Sequence, residues 1–391
     1  MNKKEVLEIR KQFTPKNCAI TRICGCYVDH EKAKHLQTKT AFLSMPEEEE
    51  FKYFDLFRKT LSGKIGRNLM NLEIPLEEEM PRGAQEFLLR LRDSKLQDDM
   101  LLEEFYDKVI ENYIYEENYY IILIHAMYDV PGKSSDDLEM YDASDVVYEY
   151  LLCSICPVSL SKAGLCYNAE DNRIEDRIRD WIVDMPDKGF LFPAFNDRNT
   201  DLHGVLYYTK KSSNLQEELI DQVLGAKMPM SADTQKETFQ ALIEDTLGED
   251  GDYETVRNIH DTLNDLIEEH KEESEPLALD KTDMRKIFEN SGVSNEQMES
   301  FDQVFEENAG EKTSLLAANI AETKKFYIET PDVVIKVNPE RSDLIETRMI
   351  DGRQCLVIPV DDHIEINGIH VRTMKRPGSI ERTQDTDPAE V

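Results

Sequence analysis

The stretch from Glu117 to Tyr208 constrains this chain most. It holds four strongly apolar segments: YYIILIHAMYDV, VVYEYLLCSICPVSL, KGFLFPAFN and HGVLYYTK. Each is short and rich in β-branched or aromatic residues, and turn residues bound most of them. They predict an antiparallel sheet on which earlier and later segments are wrapped, because short loops join consecutive strands more often than helices do. The fold class expected is therefore α+β: a largely antiparallel sheet flanked by helices, an acidic helical segment, and a β-rich C-terminal part, with its docking on the first sheet left open.

With 391 residues the chain can bury a sizeable core and form more than one domain. The periodicities divide it into a mixed α/β domain over 1–211, an acidic helical segment over 212–310, a β-rich part over 311–376 and a disordered tail over 377–391. The formal net charge is −34. Such a surface repels nucleic-acid phosphates and anionic lipid at long range, and no basic cluster is visible along the chain. No run of about 18 apolar residues exists, so no membrane-spanning helix is expected. MNKKEVLEIRKQF lacks the apolar core of a signal peptide. A cytoplasmic location is expected, and the seven cysteines are then reduced thiols.

Lys3 to Phe13 reads as a helix closed by Thr14-Pro15. AITRICGCYVD reads as a strand with Ile20, Arg22, Cys24 and Cys26 on one face. Pro46 opens a helix with Phe51, Phe54, Leu56, Phe57 and Leu61 as its buried stripe, broken by Gly63 and Gly66. LMNLEIPL is a short strand, and Gly83–Leu91 and Asp98–Tyr113 are amphipathic helices. Ile174, Ile178, Trp181 and Ile182 have the spacing of one helix face and predict a helix over Glu170–Ile182. Leu215–Leu224, Thr234–Leu247, Tyr253–His270, Asp283–Asn290 and Asn295–Asn308 are helical in period. KEESEP, Lys271–Pro276, reads as a linker. The closing segments KKFYIET, DVVIKVN, LIETRMI, RQCLVIPV, HIEI and IHVRTM read as strands, with Asp351-Gly352 and Asn367-Gly368 as hairpin turns.

No motif carries chemistry by spacing alone. GKSS at Gly132–Ser135 lacks the first glycine of a phosphate loop and faces Asp136 and Asp137. His30 and His35 lie about 140° apart on a helix and cannot share a metal on one face. Cys153 and Cys156 form a CxxC, and Cys24 and Cys26 could add two thiolates for a zinc site. On a regular strand, however, Cys153 and Cys156 point to opposite faces, so no metal and no cofactor is expected. Asp197, Asn199 and Asp201 alternate as in a calcium loop, but the glycine falls late and Tyr208 stands where the glutamate should. Pro331-Asp332 followed by Val334-Ile335-Lys336 has the outline of a metal-dependent nuclease core but lacks the second acid. His125, inside a strand, is the most interesting histidine; a core histidine satisfied by one hydrogen bond is its ordinary explanation.

NKKEVLEIRKQFTPKNCAITRICGCYVD, FRKTLSGKIGRNLMNLEIP, KGFLFPAFNDR and GRQCLVIPVDDHIEINGI span nearly the whole chain. In these stretches the chain resembles an uncharacterised family of domain-of-unknown-function proteins of anaerobic gut Firmicutes. The resemblance implies a bacterial cytoplasmic protein and carries over no site residue. The layout of LIDQVLGAKMPMSADTQKETFQALIED followed by FYIETPDVVIKV and DGRQCLVIP also resembles bacterial nucleoid-associated proteins.

Two functional classes stay open. One is a non-catalytic binding or regulatory protein whose acidic surface recruits a protein partner. The other is an enzyme whose site is assembled from distant residues. The nucleoid-like alternative needs a local basic groove from Lys324, Lys325, Lys336, Arg341, Arg348, Arg353, Arg372, Lys375 and Arg376.

Overall fold

Strands β1 (Ile20–Val28), β2 (Lys34–Thr40), β3 (Leu69–Glu73), β4 (Tyr119–Val130), β5 (Val146–Leu160), β6 (Trp181–Val183), β7 (Lys188–Phe192) and β8 (Gly204–Thr209) form one antiparallel sheet. Its order is β2-β1-β4-β5-β7-β8-β3, with β6 on the far end of β5. The structure is a computed structural model and describes residues 1–79, 81–133, 139–140, 146–248, 251–321, 325–359, 364–366 and 368–371. Part of the GKSS loop, Lys324 and the stretch from Arg372 to the C-terminus lie outside the described residues.

The two longest strands sit at the centre, paired from Tyr119↔Pro157 to Val130↔Val146. They are buried on both faces, so they read as continuous apolar runs rather than as alternating strands. One face carries Cys24, Cys26, Leu123, Cys153, Phe190 and Tyr207 and lies under helices α3 and α4 and the segment Leu215–Ala226. The other carries Ile23, Ile122, Leu152, Leu191 and Tyr208 and lies under helices α1 and α2. These helices are α1 (Lys3–Arg10), α2 (Glu47–Thr60), α3 (Ala84–Asp93) and α4 (Asp99–Asn112). Helix α2 comes very close to the sheet at Gly189, where a Cβ would stand 2.5 Å from the Cys153 carbonyl oxygen and 2.6 Å from Thr60 Cγ2. Thr60 and Ser154 share a 2.7 Å hydrogen bond at this contact.

The structure departs from the sequence expectations at two places in this half of the chain. Ile20 does not share a face with Cys24 and Cys26: the register slips at Thr21, so Ile20 pairs with Ala126 while Arg22 pairs with His125. One extra residue reverses the facing of everything before it. Glu170–Ile182 is not a helix. Leu165–Asn168 and Arg173–Asp176 form a hairpin, and the stretch ends in β6. Ile174, Ile178 and Trp181 are exposed, so the helical spacing reflected no buried face.

A second core belongs to the helices α5 (Ala232–Leu247), α6 (Tyr253–Glu269), α7 (Lys281–Asn290), α8 (Asn295–Met298), α9 (Phe301–Asn308) and α10 (Ala317–Ile320). It is built from Phe239, Leu242, Ile259, Leu263, Phe288, Phe301 and Leu315, among others. Ser231, Asp252, Asp280 and Ser294 accept hydrogen bonds from the first-turn amides of α5, α6, α7 and α8, each cap contributing about 1 kcal/mol. The expected helix Asn295–Asn308 is broken at Glu299–Ser300 into α8 and α9.

The C-terminal residues form separate hairpins, Phe326–Thr330 with Val333–Val337, Glu346–Ile350 with Arg353–Val357, and Ile364–Ile366 with Ile369–Val371. Asp351 and Gly352 both take positive φ at the expected turn. These strands do not dock on the central sheet among the described residues. Phe326 lies instead against the Tyr253 and His260 rings, and Ser342 donates to Asp261, all on the outer face of α6. By then both faces of the central sheet are already covered by helices.

Candidate functional site

Helix α1 is pinned to the sheet from one side. Asn2 and Glu5 form a reciprocal cap, the Met1 ammonium donates to Asn71 at 2.9 Å, and Glu8 accepts from both Arg198 (2.9 Å) and the Tyr128 hydroxyl (2.9 Å). This anchoring leaves Lys3, Leu7 and Arg10, which follow one helical face, turned toward the second core. The turn after α2 faces them, with Leu61, Gly63, Lys64 and Ile65. Gly63 and Gly66 take φ of +122° and +82°, which closes this turn back onto β3. The third wall is the linker Lys271–Pro276 together with Ala318 of α10.

These walls enclose a cleft of about 560 Å³, within the range of small-molecule sites and at a junction between two cores, where such sites concentrate. Apolar side chains of Val6, Leu61, Ile65 and Leu69 line it, with cations at its rim. Lys3, Arg10 and Lys64 make no ion pair among the described residues; Lys271 is held by Glu268 at 2.7 Å. Glu273 and Glu275 stand on the linker side. Residues 1–67 contain fourteen lysines and arginines against nine carboxylates, in a chain that has 46 against 80 overall. A basic region is thus present that reading along the chain overlooked, because its members are interleaved with apolar and acidic residues. A windowed charge count would have found it.

The residues singled out by sequence fall elsewhere. Cys24 and Cys153 lie on one face but are separated by the β4 strand, through the pairs Cys24↔Leu123 and Leu123↔Cys153. Cys156 belongs to the core on the opposite face. Burial pushes the Cys24 thiol up to about 11 and the Cys26 thiol up to about 12, and raises Cys153 and Cys156 as well. Among the described residues no group of three His, Cys, Asp or Glu side chains is placed to hold a metal ion. His30 and His35 stand at a turn and on β2, with His35 bonded to Asp29 at 2.5 Å. Asp197 and Asn199 shape a small hairpin in which Asn196 donates to Asp201.

His125 is fully buried and satisfied at both nitrogens, not one. Nδ1 lies 2.6 Å from Thr21 Oγ1 and Nε2 lies 2.6 Å from Glu149 Oε1. Burial holds its pKa below the ordinary value, and the Glu149 carboxylate offsets this only in part. A second buried titratable group, missed in the sequence, is Lys188. Its Nζ donates to Asp187 at 2.6 Å, Tyr113 donates to the same carboxylate at 3.3 Å, and burial lowers its pKa. Neither group lines the cleft.

Of the basic C-terminal residues, Arg348 is engaged by Glu346 and Arg341 by Asp343, and Lys336 lies over the Tyr327 ring. Lys324, Arg372, Lys375 and Arg376 lie outside the described residues. No helix among the described residues is long and apolar enough to cross a membrane. No curated protein matches the chain. A family model does match it, over residues 1–369, a span that takes in the sheet, the helical core and the cleft between them: the chain belongs to the DUF4317 family, a domain of unknown function.

Proposed function

We propose that this chain is a non-catalytic, cytoplasmic binding protein that holds a small amphiphilic anion in the cleft between its two cores. One observation carries the reading: three cations without ion pairs among the described residues, Lys3, Arg10 and Lys64, rim an apolar-floored cleft in a chain of net charge −34. Leaving cations unpaired amid so many carboxylates suits an anionic head group, and the apolar floor suits a hydrocarbon or ring body. The acidic remainder of the surface repels large polyanions, so the site favours small ligands over nucleic acid, and it offers a basic protein partner a steering field. Of the described C-terminal cations, Arg341 and Arg348 are neutralised locally by Asp343 and Glu346, which counts against the nucleoid-like alternative.

The test is calorimetric titration with decyl phosphate below its micelle concentration, with decanol as the neutral control. Saturable binding of the phosphate but not the alcohol is expected, weakened about tenfold or more in the Lys3→Ser, Lys64→Ser double variant. Equal binding by the double variant, or equal binding of decanol, would overturn the reading.

A further inference from the structure

We propose that Thr21 is an activated hydroxyl that accepts an acyl group from an anionic acyl phosphate, making it a covalent modification site independent of the cleft. The register slip in β1 makes Thr21 the extra residue opposite His125, and bulges re-aim side chains in this way. Thr21 is exposed, yet its Oγ1 lies 2.6 Å from Nδ1 of an imidazole that has no exposed surface.

The proton positions follow from the third member. An ionised Glu149 can only accept, so the hydrogen on the bond to it belongs to His125 Nε2. A neutral imidazole then has a bare Nδ1, and the Thr21 hydroxyl donates to it. The competing acceptor, the His125 carbonyl oxygen, is farther at 3.2 Å. Hydroxyl, imidazole and carboxylate are therefore arranged in the order that activates a nucleophile, with the base oriented by a third group. The carboxylate is about one-third exposed, while the ring is locked between β1 and β5.

Burial of the ring selects the donor. His125 can take the Thr21 proton, but it cannot reach outward to protonate a leaving group. Only a donor whose leaving group departs as a stable anion is then competent, which excludes amides and alkyl esters and admits an acyl phosphate. The local charge favours the same class. Lys95 is exposed without an ion pair among the described residues, and it and Arg92 lie within electrostatic reach of the imidazole. In the step, Thr21 Oγ1 attacks the carbonyl carbon and a new C–O ester bond forms. The carbonyl carbon–phosphate oxygen bond breaks, and its electron pair leaves with inorganic phosphate. The hydroxyl proton passes to His125 Nδ1, and the imidazolium's Nε2 proton leaves through the partly exposed Glu149 carboxylate to solvent.

The experiment incubates the full chain with acetyl phosphate and follows acetylation by intact mass and peptide mapping. One acetyl group on the Thr21 peptide is expected. It should be absent in Thr21→Val, present in Thr21→Ser, and slowed about tenfold or more in Glu149→Gln, which removes the charge that fixes the tautomer. The rate should also fall as acid protonates His125, at a pH below the ordinary histidine value of about 6.5. Because Thr21 and Glu149 both reach the surface, these variants leave the sheet core intact. Absence of a Thr21 adduct, equal acetylation of the Glu149→Gln variant, or equal acetylation of the urea-unfolded chain would each overturn the proposal.

Discussion

The Leu316 side chain occupies the space that a Cβ on Gly66 would need: its Cδ1 stands 2.0 Å from that position. Asn319 donates to the Gly66 carbonyl oxygen at 3.0 Å beside it. This is where the helical core is latched to the turn that forms one wall of the cleft. Gly66→Ala would meet both the contact and a φ of +82°. A loss of about 1–3 kcal/mol is expected in urea unfolding, together with weaker decyl phosphate binding. Unchanged stability and binding would mean that the turn and α10 are not held together in solution.

Helix α1 should depend on Glu8. Its carboxylate and the Arg198 guanidinium are each about one-fifth exposed, and Tyr128 shares the same oxygen. Glu8→Ala removes the acceptor that Arg198 and Tyr128 share and should cost about 1–2 kcal/mol. A Glu8/Arg198 double-mutant cycle should give a coupling of about 1 kcal/mol, above an exposed pair but reduced by solvent screening. A coupling of zero would place the anchoring of α1 elsewhere.

Thiol reactivity should sort by burial. Cys24 and Cys26, pushed up to about 11 and about 12, are protonated at pH 8, as are Cys153 and Cys156. Ellman's reagent should therefore react quickly only with the half-buried Cys166 and Cys355, and slowly with Cys18, whose thiol burial also raises. All seven should react in denaturant. Rapid modification of Cys153 in the native protein would contradict the closed sheet.

High pH should unfold the chain through its tyrosines. Burial raises Tyr106, Tyr113, Tyr148, Tyr150 and Tyr207, and pushes Tyr208 up to about 12. The unfolded chain loses phenolic protons first, near pH 10, so the native state binds more protons there and stability falls as pH rises. Lys188 works in the opposite direction, because its lowered pKa makes the unfolded state the better proton binder below about pH 10.4. It is one group against many. Phenolate absorbance and loss of near-ultraviolet dichroism should rise together; phenolates forming while the dichroism persists would refute the prediction.

The single tryptophan offers an optical check. Trp181 is 57% exposed on β6 rather than buried on a helix face. Its emission should resemble indole in water and be readily quenched by acrylamide in the native state. A blue-shifted, protected emission would restore the helix expected over Glu170–Ile182.

Much of the architecture was legible along the chain. The limits of β4 and β5 followed from near-continuous apolar runs rich in β-branched and aromatic residues, which suit strands of a sheet covered on both faces. The helices α5, α6 and α7 announced themselves by period, and Asp351-Gly352 marked a turn because both residues tolerate positive φ. These features depend on neighbours within a few residues, so local sequence is enough to specify them.

Other features were decided only in three dimensions. Helical spacing at Ile174, Ile178 and Trp181 names a face but not a surface to bury it against, and none was left. The slip at Thr21 depends on which residue of β4 stands opposite, so the meeting of Thr21, His125 and Glu149 across three strands has no local signal. The cleft joins Lys3, Arg10, Lys64 and the linker at Lys271. Its charge and shape exist only because the helical core docks on the turn at Gly66, and distance along the chain carries no information about that contact.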